Sequence, residues 1–246
     1  RRSAARQAIA AADAYVAGSH AIHADYVRAG VIPASTPFHV LPYGIDVEVP
    51  RKPRPPAGRP IRFGYVGSIS PHKGLHIAVE AMRDFTPAQA TLHIWGDVRA
   101  LPDYVQSLKE LGGGAAVIFE GSFREEEKQR VFLSMDILLV PSIGLESFGL
   151  AAREAMTCGV PVIASAGGAL SEIFEPGLCG DLFPAGDASA LRNILRRVVE
   201  EPDVVDRWAA NLPKPKSNDV HAREIEHVYD KLLADGTSRP SPGSAR

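Results

Sequence analysis

Glu146 and Glu154 stand eight positions apart in the stretch GLESFGLAAREA, with Gly149 between them. On one continuous helix they would lie about 12 Å apart along the axis, too far for one small ligand to use both. A helix that begins near Phe148 or Gly149 changes this. Glu146 then lies in the loop and folds back toward a pocket, and Glu154 sits about a turn inside the helix. The first-turn N–H groups of Phe148, Gly149 and Leu150 lack helical acceptors and suit an anion. Gly149 lets a ligand come close to the main chain. Amide donors for a phosphate, flanked by two hydroxyl-accepting carboxylates, suit a sugar joined to a nucleotide through a diphosphate. The same residues have a plain structural use, with Glu146 as an acidic group ahead of a helix and Glu154 as a solvent-facing side chain.

A second stretch, GSISPHKG from Gly67 to Gly74, joins an apolar run to a helical pattern. It is neither a G-x-G-x-x-G fingerprint nor a Walker A loop, so dinucleotide and P-loop chemistry are not indicated. It reads either as an ordinary turn with a solvated Lys73 or as an anion seat, in which Lys73 adds a full charge to the amides of a helix start. Other candidates read as structural. His20 and His23 form H-x-x-H without a third ligand, so no metal is expected. Cys158, ahead of a glycine that ends a helix, reads as a small buried apolar residue. The acidic run REEEKQR reads as a solvated helix start.

The elements that must position these residues alternate. IRFGYVG, TLHIWGD, AAVIFEGSF, DILLVPS, VPVIASAGG and GDLFPAGD read as strands, continuous and apolar rather than alternating, as strands covered on both faces are. Between them lie the amphipathic patterns LHIAVEAMRDF, ALPDYVQSLKELG, REEEKQRVFLSM, FGLAAREAMTCG and the short SEIFEPG, and three helical patterns close the chain. This alternation predicts an α/β fold with a Rossmann-like, doubly wound parallel sheet. Ligands bind such sheets beyond the carboxyl ends of the strands, and four of those ends carry GSISPHKG, GD, EGSF and PSIGLESFG. Ahead of this region come an Ala-rich helical pattern over residues 3–16, the strand YVAGS, the helix AIHADYVRAG and the strand FHVLP. Residues 50–60, PRKPRPPAGRP, form a stiff Pro-rich connection, and the chain from Gly236 reads as a disordered tail.

The 246 residues carry a net charge of -2, which points to no nucleic-acid partner. Two cysteines make no disulfide framework and fit a reducing cytosol. No apolar run approaches the roughly 20 residues of a membrane span.

The stretches VGSISPHKGLHIAVEAM, LHIWGD, VIFEGSF, DILLVPS, ESFGLAAREAMTCGVPVIASAGGALSEIF and GLCGDLFPAGD together resemble the C-terminal domain of retaining GT-B glycosyltransferases of glycosyltransferase family 4, over residues 60–200. The family's Glu-x7-Glu spacing matches Glu146 and Glu154. The resemblance implies that this chain holds the donor half of an enzyme that moves a sugar from a nucleotide diphosphate to an acceptor with retention. Glu146 would accept donor-sugar hydroxyls, and Glu154 the ribose hydroxyls. Ser147, Phe148, Gly149 and Leu150 would meet the sugar and diphosphate, and Lys73 would neutralise the leaving diphosphate. Gly67 and Ser68 would line the first turn, and Ser122 and Phe123 would edge the base. No cofactor or metal is implied. One departure stands at Ser68, where the family usually carries Arg; a bidentate diphosphate contact is thereby lost, and His72 or Arg99 are the cations near enough in sequence to replace it.

By the same resemblance, residues 1–46 are the remnant of an acceptor-binding domain, 47–60 the interdomain linker, 61–235 the nucleotide-sugar-binding domain with its closing helices, and 236–246 a tail. The final helix would cross back toward the first domain. The acceptor, whether sugar, lipid or another small molecule, would be read by the missing domain. The chain alone is expected to be inactive, and the full protein cytoplasmic, with any attachment to the inner face of a membrane residing in that domain. A non-catalytic nucleotide-sugar-binding module is the alternative. A phosphorylase or epimerase lacks a supporting motif, and a dehydrogenase lacks the glycine fingerprint.

Overall fold

Ser19 accepts a hydrogen bond from the Ile22 amide and caps helix α1 (His20–Arg28), which follows strand β1 (Tyr15–Ala17) and precedes β2 (Phe38–Val40). β1 and β2 pair in parallel. The structure, a computed structural model, describes residues 9, 11–33, 35–45, 58–114 and 116–235. Residues 47–57 of the expected linker and the tail over 236–246 lie outside these, as does half of the Ala-rich N-terminal helical pattern.

The chain divides into two units, one reaching Asp46 and resuming at Lys216, the other Val47–Pro215. The second unit carries the alternation read in the sequence. Its elements run β3 (Ile61–Val66), α2 (Leu75–Met82), β4 (Ala90–Trp95), α3 (Pro102–Gly112), β5 (Val117–Gly121), α4 (Lys128–Leu133), β6 (Ile137–Val140), α5 (Leu150–Thr157), β7 (Val162–Ala166), β8 (Gly180–Pro184), α6 (Ala188–Glu200) and α7 (Asp203–Ala210). The strands form one parallel sheet in the order β5-β4-β3-β6-β7-β8. Phe63, Tyr65, Leu92, Ile94, Ile137 and Leu139 pack with Leu75, Val79, Leu108, Leu191 and Trp208 in one core. Leu138, Val162 and Ala164 point to the other face and pack with Phe132, Ala152, Ala155 and Met156. Both faces are therefore covered, which explains the unbroken apolar strands. The architecture is the Rossmann-like, doubly wound sheet expected from the sequence.

At the strands' N-terminal edge Asp136 is buried. It takes both arms of the Arg59 guanidinium at 2.9 and 2.6 Å, and the Arg62 amide at 2.9 Å. A bidentate, charge-assisted clamp of this kind fixes the start of β3 against β6.

Two boundaries differ from the sequence reading. The helix expected over SEIFEPG is replaced by a 3-10 turn over Gly168–Glu172. Gly168 turns the chain early with φ +55, and Pro176, lacking an N–H, cannot continue a helix. The domain expected over 61–235 ends earlier, at Pro215. The last helix, α8 (Asn218–Ala234), capped by Ser217, belongs with the first unit, where the Ile45 amide donates to the Lys216 carbonyl and Asn218 crowds Gly44. No helix among the described residues is long and apolar enough to cross a membrane.

Candidate functional site

The four loaded strand ends belong to β5, β4, β3 and β6, which are neighbours in the sheet. Strand order reverses between β3 and β6, the point where open α/β sheets leave a crevice at their carboxyl edge. Lys73 follows β3 and Glu146 follows β6, one on each side of that point.

Close main-chain packing joins them. Pro71–Lys73 form one 3-10 turn, ended by Gly74 at φ +68. A Cβ on Gly74 would lie 1.8 Å from the Pro141 carbonyl oxygen, so only glycine allows this approach. The His72 carbonyl accepts the amides of Ile143 at 2.9 Å and Gly144 at 3.0 Å. The two turns are thereby locked, and Lys73 Nζ reaches Glu146 Oε1 at 2.7 Å. The buried Ser142 donates its hydroxyl to the same oxygen at 2.6 Å, and its own carbonyl accepts from Ser165 Oγ at 2.6 Å. Among the described residues nothing hydrogen-bonds Glu146 Oε2. Tyr65 lies beneath the first turn, its hydroxyl donating to the Ser68 carbonyl at 2.7 Å. Burial, then the negative potential of Tyr104 and Glu146, pushes the Tyr65 phenol well above the ordinary range and keeps it a neutral donor.

The second carboxylate is built separately. α5 begins at Leu150, after Gly149 at φ +72, and no side chain caps it. Glu146 thus lies in the loop and Glu154 just past the first turn, as the sequence predicts. Glu154 Oε1 accepts from Lys128 Nζ at 2.8 Å, and Lys128 also pairs with Glu125. Burial works against the Lys128 charge, but the Glu125 and Glu154 carboxylates outweigh it and hold the ammonium above the ordinary lysine range. Each glutamate therefore gives one oxygen to a lysine, and among the described residues the other accepts no hydrogen bond. Between them Arg153 reaches back from α5, its Nε donating to the Phe148 carbonyl at 3.2 Å and its guanidinium 4.3 Å over the Phe148 ring. Phe148 is buried beneath this clamp.

The structure thus brings Lys73 to Glu146, and it ties Glu154 to the segment that follows β5. Gly67 is half-buried, while Ser68, Ser147 and Leu150 are exposed at the same edge. Ser122 is exposed and Phe123 packs half-buried against the core. Gly149 is needed for its left-handed backbone and because a Cβ there would meet Ile173 and Leu170 at 2.7 and 3.0 Å. Arg99 is bound to Asp97 by its Nε at 3.1 Å, and His72 stands 3.3 Å from Ser70 Oγ. His23 stacks on Phe38 at 4.0 Å, and no group of three His, Cys, Asp or Glu able to hold a metal occurs among the described residues. Sequence reasoning missed Lys128, Ser142, Tyr65 and Arg153. The reading of REEEKQR as a solvated face holds for Glu125 and Glu126, which are highly exposed, and fails for Lys128, which turns inward to Glu154.

Cys158 is buried behind Glu154, and burial, reinforced by that carboxylate, pushes its thiol up to about 11. A raised thiol pKa favours the protonated folded form. Its contribution is fully present below the unfolded value near 9 and is lost as pH rises through about 11. We expect Cys158 to resist alkylation in the native chain at pH 8, and Cys158→Ser to flatten the alkaline fall in stability. Rapid native labelling by iodoacetamide would contradict the burial.

A family profile described as glycosyl transferases group 1 matches residues 46–214. The chain is 30% identical over 209 residues to a phosphatidyl-myo-inositol mannosyltransferase of Mycobacterium leprae, covering 80% of this chain and 54% of that protein. It is 32% identical over 187 residues to the amylovoran biosynthesis glycosyltransferase AmsK of Erwinia amylovora, covering 72% and 44%. The chain spans about half the length of these curated relatives. Among solved structures, Anabaena HepE in complex with UDP and glucose superposes with a TM-score of 0.76 at 25% identity, over 95% of this chain and 66% of that one. Sucrose-phosphate synthase from Thermosynechococcus elongatus gives a TM-score of 0.73 at 27% identity, over 94% and 61%. The doubly wound unit is accordingly the sheet of a GT-B glycosyltransferase fold, and the chain belongs to the glycosyl transferases group 1 family.

Proposed function

We propose that this chain is the donor-binding half of a retaining hexosyltransferase that takes its sugar from a nucleotide diphosphate. The observation that carries the reading is the paired arrangement at the sheet edge. Two glutamates, each held by a lysine through one oxygen, flank a helix N-terminus that no side chain caps. In this reading Glu146 Oε2 accepts donor-sugar hydroxyls and Glu154 Oε2 the ribose. The amides around Phe148, Gly149 and Leu150 take the diphosphate, with Gly67, Ser68 and Ser147 around it and Ser122 and Phe123 at the base. As the bond from the anomeric carbon to the diphosphate breaks, negative charge grows on the leaving group, and Lys73 with the start of α5 stabilises it. The sequence offers no metal-ligand pattern, and the reading assigns the neutralising charge to these groups. The acceptor, a sugar, lipid or other small molecule, is read by the remainder of the protein, and the chain alone does not transfer. The protein works in the cytoplasm, with any contact to the inner membrane face made by that remainder. HepE, one of the structural relatives, has been seen with UDP and glucose, which supports a nucleotide-sugar ligand of this kind.

The test is a thermal-shift panel of UDP, GDP, ADP and dTDP sugars on the purified chain, because a ligand that binds only the native state raises its apparent stability. One nucleotide series is expected to raise Tm, and no shift from any of them would overturn the reading. Ser68, exposed and without a guanidinium, favours a second reading as a non-catalytic nucleotide-sugar-binding module. Transfer by a longer protein that contains this chain separates the two.

A further inference from the structure

We propose that the corner Gly167–Gly168–Ala169, and Gly168 in particular, positions Glu146 for the donor sugar. This rests on the reading of Glu146 as the sugar carboxylate. The corner follows β7, and its Ala169 amide donates to the Glu146 main-chain carbonyl at 2.9 Å. Gly168 has φ +55, and a Cβ built on it would lie 2.7 Å from the Glu146 carbonyl oxygen and 3.1 Å from the Glu146 nitrogen. Both atoms are backbone, so neither can swing aside as a flexible side chain would. Glu146 is thus held twice: its carboxylate by Lys73 and Ser142, and its main chain by this corner.

The same turn supports the other end of the loop. The space where Gly149 lacks a Cβ is filled by Leu170 and Ile173, within and just after Gly168–Glu172. The turn therefore meets the 146–149 segment at both ends, by Gly168 and Ala169 at Glu146 and by the Leu170 and Ile173 side chains at Gly149, and a Cβ on Gly168 would press on the Glu146 end alone. The Glu154–Lys128 pair is made from α5 and the segment after β5, and it shares no hydrogen bond with the corner. A disturbance at Gly168 should fall on the sugar side of the site and spare the ribose side. Exposed loops carry such residues poorly unless something fixes them, and a misplacement on the order of 1 Å can cost about 100-fold. Gly168 is a positioning residue in this sense. It meets Glu146, and of these two residues only Glu146 is assigned to the ligand.

The variant Gly168→Ala tests this, with Gly113→Ala as control. Gly113 has nearly the same φ, +56, but an added Cβ there meets nothing within 4 Å, so it carries backbone strain without the contact. Calorimetry on the full chain with UDP and UDP-glucose, and with GDP and GDP-mannose, measures the sugar's share of affinity for the pair that binds. Gly168→Ala should weaken the nucleotide sugar by about tenfold relative to the free nucleoside diphosphate, while Gly113→Ala leaves that ratio unchanged. Equal loss for both ligands would mean a merely structural glycine and would overturn the proposal. Where Gly168→Ala fails to fold, the wild-type chain decides. Exchange of the Ala169 amide should slow with the nucleotide sugar and not with the nucleoside diphosphate, and equal slowing overturns the proposal. If neither pair binds the wild type, and ADP, dTDP and their sugars do not bind it either, the donor-site reading fails separately. Gly168 is then judged by whether its alanine variant, or in its absence Ala169→Pro, speeds exchange at Ile143 and Gly144, which unchanged protection would refute.

Discussion

Lys73→Met is expected to lower sugar transfer by about 10²–10³-fold, measured in a longer protein that contains this chain, the typical cost of losing one preorganised contact to developing charge. The proposed donor site gives this residue two tasks. Its ammonium stands 2.7 Å from Glu146 Oε1, so it holds that carboxylate, and in the proposed donor site it would also neutralise the diphosphate. Removing it withdraws a full charge from the leaving group and leaves Glu146 with only the Ser142 hydroxyl on that oxygen. The two tasks separate in a double-mutant cycle. If the lysine and glutamate act as one unit, Lys73→Met and Glu146→Gln will be strongly non-additive, with the pair costing little more than either alone. Additive losses would show that Lys73 serves the diphosphate independently. Transfer within threefold of wild type for Lys73→Met would remove the residue from the mechanism. The departure at Ser68 raises the stakes. With no guanidinium after Gly67, with Arg99 tied to Asp97, and with His72 beside Ser70, Lys73 is the described cation placed at the switch point.

What the sequence made legible was local. Six apolar runs placed the strands of the parallel sheet, because strands buried on both faces must be apolar throughout. Gly149 marked the start of α5, and so told that Glu146 lies in a loop and Glu154 in a helix. The unread part was tertiary. Nothing near Lys128 in the chain indicates that it leaves an acidic surface run to meet a carboxylate 26 residues later. Ser142 and Arg153 are ordinary residues until the loop folds over them. Gly168 reads in the sequence as the end of the strand VPVIASAGG, and its reason appears only when the Glu146 backbone is found against it. The short helix was misplaced for a related cause. Local propensity favoured SEIFEPG, but the left-handed corner starts the turn three residues sooner and spends it against the Glu146 loop.

Glu154→Ala should weaken nucleotide binding by roughly 10–100-fold, the scale of losing one or two hydrogen bonds to a charged acceptor. Its carboxylate is mostly buried, with the side chain 13% exposed, and its neighbours say how it works. Lys128 occupies Oε1 and also holds Glu125, so it forms a three-membered charge cluster rather than a loose surface pair. A lysine that merely competed with the ribose would make Lys128→Met bind more tightly. The geometry argues the other way. Removing the ammonium leaves a mostly buried carboxylate without its cation, and the contact that fixes the Glu154 side chain is lost along with it. Lys128→Met should therefore bind nucleoside diphosphate several-fold more weakly than wild type, and Glu154→Ala more weakly still. Isothermal titration with the nucleoside and the nucleoside diphosphate locates the loss. An effect on the ribose is shared by both ligands, whereas an effect on the diphosphate appears only with the second. Unchanged affinity in Glu154→Ala would remove this glutamate from the ribose site. A gain in Lys128→Met would make the lysine a competitor that donor binding must displace, and Glu125, its other partner, would then be where it goes.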